Sequence, residues 1–168
     1  MKKNLIIPAL MAIALSGCGE APVVDVQQQK GDPLKENMIN ANKYFASSEE
    51  TEIDAYIGRR GWEMKKLGNG TRLWEYQKGD GKALENEEAV SVSYSVEALT
   101  GKRIYDQVDD VVVMGRGQAV AGLETALKNL SHGSRAKVII PSAMGYGVVG
   151  DGDLISTRMV IVMDLSVK

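Results

Sequence analysis

Hydrophobic and polar positions change rhythm three times along the chain. Residues 5–15, Leu5-Ile6-Ile7-Pro8-Ala9-Leu10-Met11-Ala12-Ile13-Ala14-Leu15, are almost uninterruptedly apolar. They follow Lys2 and Lys3 and run into the small residues Ser16-Gly17. A basic start, a short apolar stretch and small residues together predict a secretory signal over residues 1–17. At about eleven residues the stretch is too short to cross a ~30 Å hydrocarbon core as a helix, and Pro8 weakens that reading further. A buried helix is the plain alternative. From Gly19-Glu20-Ala21-Pro22 to Gln27-Gln28-Gln29-Lys30-Gly31 no period is visible. This polar stretch predicts a flexible tether over residues 18–31.

A helical period follows. Asp32-Pro33 reads as an N-cap with proline at the first helical position, and Leu34, Met38, Ala41 and Phe45 then form one apolar stripe. Ser47 with Glu50 has the capping-box spacing, which predicts a second short helix carrying Ile53, Tyr56 and Ile57 and ended by Gly58 or Gly61. The pair defines a helical spacer over residues 32–61. It reads either as a dimerising or client-binding arm or, more plainly, as a helical hairpin packed on the following domain.

From Trp62 on, short strands alternate with turns. Met64–Lys66 and Leu73–Gln77 flank the hairpin signal Gly68-Asn69-Gly70. Val90, Val92, Tyr94, Val96 and Ala98 alternate with polar residues up to the turn Thr100-Gly101. Val111–Met114, Ala136–Ile140 and Met159–Val167 read as further strands. Val120, Leu123, Ala126, Leu127 and Leu130 have helical spacing, the one good helix after the spacer. Strands around a single helix, without repeated βαβ units, predict an α+β domain with an antiparallel sheet over residues 62–168.

Composition narrows the chemistry. The chain has 168 residues, net charge −2 and no basic run, which argues against nucleic acid as a partner. One cysteine and one histidine exclude an intramolecular disulfide and any multi-histidine or cysteine-cluster metal site. Gly115-Arg116-Gly117 lacks the third glycine of a dinucleotide fingerprint, because Val120 stands in its place. Gly150-Asp151-Gly152-Asp153 lacks the ligand series of a calcium loop and reads as a polar turn. His132 reads as part of a helix C-cap. No cofactor is implied. Tyr94, Tyr105-Asp106 and Tyr146-Gly147 remain as polar aromatics among aliphatics, and by periodicity alone they are core tyrosines.

Two resemblances give these residues a direction. Leu15-Ser16-Gly17-Cys18 resembles the bacterial lipobox, in which lipid is attached to the cysteine thiol and the chain is cut before it. That implies a palmitate-bearing lipoprotein, with an unmodified thiol as the alternative. Loss of Lys2 and Lys3 would move the side-chain charge from −2 to −4. Several acyl chains together would hold it firmly to a membrane.

From about Trp74 to Val167, seven segments in order resemble the FKBP-type peptidyl-prolyl cis-trans isomerases. These are Gly79-Asp80-Gly81 with Val92-Ser93-Tyr94, Gly101-Lys102-Arg103-Ile104-Tyr105-Asp106, Val113-Met114-Gly115, Val120-Ala121-Gly122-Leu123 with Leu127, Gly133-Ser134-Arg135-Ala136-Lys137, Ile140-Pro141 with Gly145-Tyr146-Gly147, and Met159 to Leu165. With the signal and the helical segment ending in Arg60-Gly61-Trp62, the chain is similar to the envelope FKBP lipoproteins, including the group linked to gliding motility.

The resemblance implies an α+β fold in which an antiparallel sheet of five to six strands curls around one helix, with the apolar pocket between them. Tyr94, Tyr105 and Ile161 would line its walls and Leu123 its floor. The Val120 N–H and the Tyr146 hydroxyl would hold substrate carbonyls, Asp106 would lie beside the twisting imide, and Leu154 and Ile155 would belong to the covering loop. On this likeness Tyr146, Asp106 and Tyr105 are the catalytic candidates. Relatives often place tryptophan at Leu123, phenylalanine at Ile161 and another aromatic at Asp110 or Val111, and Ser156-Thr157-Arg158 replaces their proline-rich stretch. These departures imply reduced activity. The partners implied are X-Pro segments of unfolded exported proteins, the membrane through the lipid, and a weak dimer through the spacer. The implied location is the bacterial envelope, at the periplasmic side of the outer membrane. The competing reading is a non-catalytic binding module or chaperone within an envelope, gliding or secretion machine.

Overall fold

The computed structural model describes residues 32–168. The signal, Cys18 and the tether fall outside the described residues.

The elements are α1 (Pro33–Arg60), β1 (Lys65–Lys66), β2 (Arg72–Gln77), β3 (Ala89–Ala98), β4 (Arg103–Val113), α2 (Ala121–Leu127), β5 (Arg135–Ile140) and β6 (Ile161–Val167). The six strands form one antiparallel sheet in the order β1-β2-β5-β6-β3-β4. The α+β class, the antiparallel sheet and the inner helix α2 follow the sequence reading.

Alternation assigns the two faces. Val90, Val92 and Val96 of β3, Ala136, Val138 and Ile140 of β5, and Ile161, Met163 and Leu165 of β6 pack with Leu123, Ala126 and Leu127 of α2 in the main core. The intervening residues Ile139 and Val162 face the opposite way and pack with Ile53 and Tyr56 of α1. The sheet is therefore covered on both sides. Gly122 allows the close approach of α2: a Cβ at this position would lie 2.3 Å from Ile140 Cγ2.

The spacer is one continuous helix of 28 residues, not two short helices forming a hairpin. Asp32 caps it through a 3.0 Å bond from the Leu34 N–H, and Gly61, with φ of 64°, ends it in the left-handed region. Ser47 and Ser48 do not interrupt it, because serine within a helix costs only a few tenths of a kcal/mol (about 0.5) and no glycine or proline stands nearby. Glu50 of the expected capping box serves tertiary contacts instead. Glu50 pairs with Lys66 and with Arg72, and Arg72, buried at 5 % exposure, also reaches Asp54 at 2.9 Å and the Gly70 carbonyl at 2.6 Å. Burial of Ile53 and Tyr56 contributes roughly 1.5–3 kcal/mol each and fixes the C-terminal half of α1 on the sheet. The N-terminal half stands exposed, including Leu34, Met38, Ile39 and Tyr44.

β4 runs over eleven residues, where the sequence predicts a strand only over Val111–Met114. Asp106, Gln107, Asp109 and Asp110 are poor strand formers, but the ladder with β3 overrides local preference. α2 is shorter than the pattern Val120–Leu130, although Leu130 is still buried. Sparse aromatics collect on the outer face: Tyr56, Trp62, Trp74 and Tyr76 follow one another at centroid spacings of 5.6, 5.9 and 5.7 Å.

Candidate functional site

Three strands, the helix α2 and one loop carry the expected pocket residues. Tyr94 lies on the core side of β3, and Tyr105 occupies the β4 position opposite Val96, also on the core side. Val120 caps α2 and Leu123 is buried in its first turn. Ile161 opens β6 fully buried, and the β5–β6 connection supplies Tyr146, Leu154 and buried Ile155. Tyr94, Tyr105, Val120 and Tyr146 are half-buried and pack against the main core, to which Leu123, Ile155 and Ile161 belong. Three tyrosines thus border one aliphatic core. Leu154, 54 % exposed, stands on the rim and not against the floor.

Asp106 does not join this cluster. Tyr94 pairs with Val108 but Val96 pairs with Tyr105, so Asp106 and Gln107 together face the single residue Ser95. That bulge puts Tyr105 where unbroken pairing would place Asp106. The Asp106 side chain is 96 % exposed, with only a 3.9 Å contact to Arg103 Nε. The expectation of a carboxylate beside the imide at Asp106 is corrected accordingly.

Two other carboxylates approach the pocket. Asp151 accepts a 2.6 Å hydrogen bond from the Tyr105 hydroxyl through Oδ2, while its Oδ1 accepts the N–H groups of Asp153 and Ile155 at 2.9 Å. It therefore fixes the loop turn and ties that loop across to β4. Sequence inspection sees only a polar turn there, because a partner 46 residues away leaves no local signal. Asp110 lies opposite Val92, which places it on the core side, whereas Val111 pairs with Ser91 and is exposed. Of the two residues proposed for the further wall, Asp110 is the one the register selects.

Burial and these charges together keep the tyrosines protonated. The bond to Asp151 and then burial push Tyr105 up to about 12. Burial first, then the charges of Asp151 and Asp110, raises Tyr146. Burial, then Tyr146 and Asp110, raises Tyr94. Tyr146 is thus a neutral O–H donor through the physiological range. The Val120 N–H has no backbone partner among the described residues, although its carbonyl accepts from Leu123 at 2.9 Å and Glu124 at 3.2 Å.

His132 lies away from the pocket and does not cap α2, which ends at Leu127. Its Nδ1 bonds the Lys168 carbonyl and its Nε2 bonds Glu88, each at 2.7 Å. It fastens the end of β6 to the start of β3.

A separate groove of about 580 Å³ lies between α1, the β1–β2 turn and the β5–β6 loop, with Phe45, Ala46, Ile53, Pro141, Met144 and Val148 among its apolar lining. Glu49 anchors the loop to α1 by accepting the Ser142 N–H at 3.0 Å and the Ser142 hydroxyl.

Neutral hydroxyl and N–H donors beside aliphatic side chains suit an uncharged polar group such as an amide. Residues 81–168 match the family model described as FKBP-type peptidyl-prolyl cis-trans isomerase, and the chain belongs to that family. Among its relatives is a protein of Pseudomonas aeruginosa named "Probable FKBP-type 25 kDa peptidyl-prolyl cis-trans isomerase", 29 % identical over 102 residues. The match covers 61 % of this chain and 44 % of that protein, so the chain spans less than half of that relative's length. "FK506-binding protein 1" of Debaryomyces hansenii is 31 % identical over 100 residues, covering 56 % of this chain and 89 % of that protein. The crystal structure of a peptidyl-prolyl cis-trans isomerase from Pseudomonas syringae pv. tomato superposes with a TM-score of 0.62 at 25 % identity, covering 74 % of this chain and 92 % of that one.

Proposed function

We propose that this protein isomerises X-Pro peptide bonds of exported polypeptides while held at the envelope by lipid on Cys18. The observation that carries the catalytic part is the packing of Tyr94, Tyr105 and Tyr146 on the aliphatic core that includes Leu123, Ile155 and Ile161. Rotation about an X-Pro bond must cross a barrier of ~18–20 kcal/mol that arises from amide resonance. An apolar pocket disfavours the charge-separated planar amide relative to the twisted form. Donors set for the twisted carbonyls then lower the barrier selectively, and every ~1.4 kcal/mol of such preference is tenfold in rate. The Tyr146 hydroxyl and the Val120 N–H are the two donors, and neither transfers a proton. Asp151 acts on the pocket through Tyr105, by holding the loop that carries Ile155.

The anchored position rests on the signal-like segment and Leu15-Ser16-Gly17-Cys18. Cells expressing the full chain and fed labelled palmitate should incorporate label into the membrane fraction, and Cys18→Ser should lose both label and membrane retention. In a parallel assay, the purified protein should accelerate the slow refolding phase of a proline-limited client, which takes tens of seconds uncatalysed. Unlabelled wild type would overturn the anchor, and an unchanged refolding phase would overturn the folding role.

A second reading, a binding module without catalysis, draws on one observation: Asp106 faces solvent and not the pocket. It requires that pocket variants keep their function in cells while lacking any isomerase rate.

A further inference from the structure

The carboxylates beside the three tyrosines come from two separate elements. Asp110 lies on the core side of β4, two residues beyond Val108, the residue opposite Tyr94. Such a diagonal neighbour stands about 7–8 Å away across an antiparallel pair. From the β5–β6 loop comes Asp151, whose Oδ2 accepts the Tyr105 hydroxyl at 2.6 Å and whose Oδ1 accepts the Asp153 N–H at 2.9 Å. Asp110 is exposed and Asp151 half-buried.

Neither carboxylate is balanced by a cation. Among the described residues no lysine, arginine or histidine forms an ion pair with Asp110 or Asp151. Three cations near β4 are engaged elsewhere: Arg103 with Glu97 at 2.9 Å, Lys168 with Asp109 at 2.8 Å, and Arg116 with Glu87. The opposite face of the sheet differs. There the Arg60 guanidinium lies 5.0 Å from the Tyr56 ring centroid, and Arg135 acts on Tyr76. At Tyr94 the only charged carboxylate acting is Asp110, and at Tyr146 Asp151 and Asp110 act together, with no cation beside them. A peptide that settles against these tyrosines displaces water from both carboxylates. That displacement costs least when the peptide supplies a positive charge of its own, and most when it supplies a negative one.

We propose that Asp110 and Asp151 select among proline segments, favouring those that carry a lysine or arginine beside the X-Pro dipeptide and disfavouring those that carry aspartate or glutamate there. This rests on the isomerase reading of the tyrosine pocket. It adds a choice of substrate that the neutral donors Tyr146 and Val120 do not make. One residue of extended chain spans about 3.3–3.6 Å, so a charged side chain flanking the dipeptide is within reach of carboxylates at the tyrosines.

The test uses the full chain and capped peptides built on Leu-Pro-Phe, with lysine, glutamine or glutamate placed directly before the leucine or directly after the phenylalanine. Exchange NMR gives kcat/KM, and fluorescence anisotropy of labelled versions gives Kd. At ~20 mM salt at least one position should favour lysine over glutamate about tenfold in both quantities, with glutamine between, and the ratio should shrink towards one at ~1 M salt, where the Debye length is ~3 Å. Asp110→Asn and Asp151→Asn should each lower the lysine-to-glutamate ratio about threefold, and the double variant should remove it. The ratio is taken within each variant, so a change in overall rate does not enter it, and the new amide at position 151 can still meet the Tyr105 hydroxyl. Glu52→Gln removes the same net charge from the exposed side of α1, over the opposite sheet face, and should leave the ratio unchanged. Equal values for lysine and glutamate at both positions, a preference that survives the double variant, or one that Glu52→Gln lowers as far as Asp110→Asn does, overturns the proposal and leaves the isomerase reading standing. A lysine preference in Kd that depends on Asp110 and Asp151, with no peptide isomerised, supports the selection and overturns the isomerase reading.

Discussion

At the scale of single residues, neutral hydrogen-bond donors and one charged clasp divide the work. Tyr146 faces the pocket as a protonated hydroxyl, and Tyr105 is committed to Asp151. His132 offers a measurable consequence of the electrostatics. The Lys168 carbonyl first, and then Glu88, hold its imidazolium above the ordinary value of 6.5. A histidine raised by folding contributes stability that is complete below its unfolded value and is lost as pH rises through its folded value. Thermal unfolding followed from about pH 6 to pH 9 should show wild type losing more Tm than His132→Gln, with Glu88→Gln between them. Parallel curves would contradict the two-sided bond. Little of this was legible beforehand. Tyr94, Tyr105, Tyr146 and Leu123 announce themselves because their segments resemble a family pattern. Asp151 and His132 work through partners 46 and 44 residues away, and no spacing within a segment records such a partner.

At the scale of elements, the strands of the core are readable because β3 alternates where one face is buried and the other is open, and β6 begins with the continuous apolar run Ile161-Val162-Met163 where both faces are covered. Only the second half of β4 is legible in the sequence, since its polar first part is strand only by virtue of pairing with β3. The same bulge that hides from composition turns Asp106 outward. From the sequence α1 reads as two helices because a capping-box spacing is a local signal, and the tertiary partners of Glu49 and Glu50 are not. The seat of α2 depends on one glycine. Gly122→Ala would set a methyl 2.3 Å from Ile140 Cγ2 and should cost about 1–3 kcal/mol in denaturant unfolding. Ile140→Ala removes the opposing methyl, so the double variant should cost less than the two single costs combined. Additive costs would show that α2 is not held by this contact.

At the scale of the molecule, a two-faced sheet separates two tasks. Its inner face carries α2 and the tyrosine pocket, and its outer face carries α1, the aromatic series from Tyr56 to Tyr76, and the groove. Sparse aromatics are thus spent on seating α1, which leaves the pocket to tyrosine and aliphatic side chains. Among the described residues no helix is long and apolar enough to cross a membrane. The most direct test of the central claim is exchange NMR on an Ala-Leu-Pro-Phe peptide with catalytic amounts of the full chain. Wild type should bring cis and trans signals into measurable exchange at about 10 μM protein, and Tyr146→Phe should slow that exchange about tenfold, the worth of one hydrogen bond made in the transition state. Exchange no faster than in peptide alone, or a Tyr146→Phe rate equal to wild type, would contradict the account.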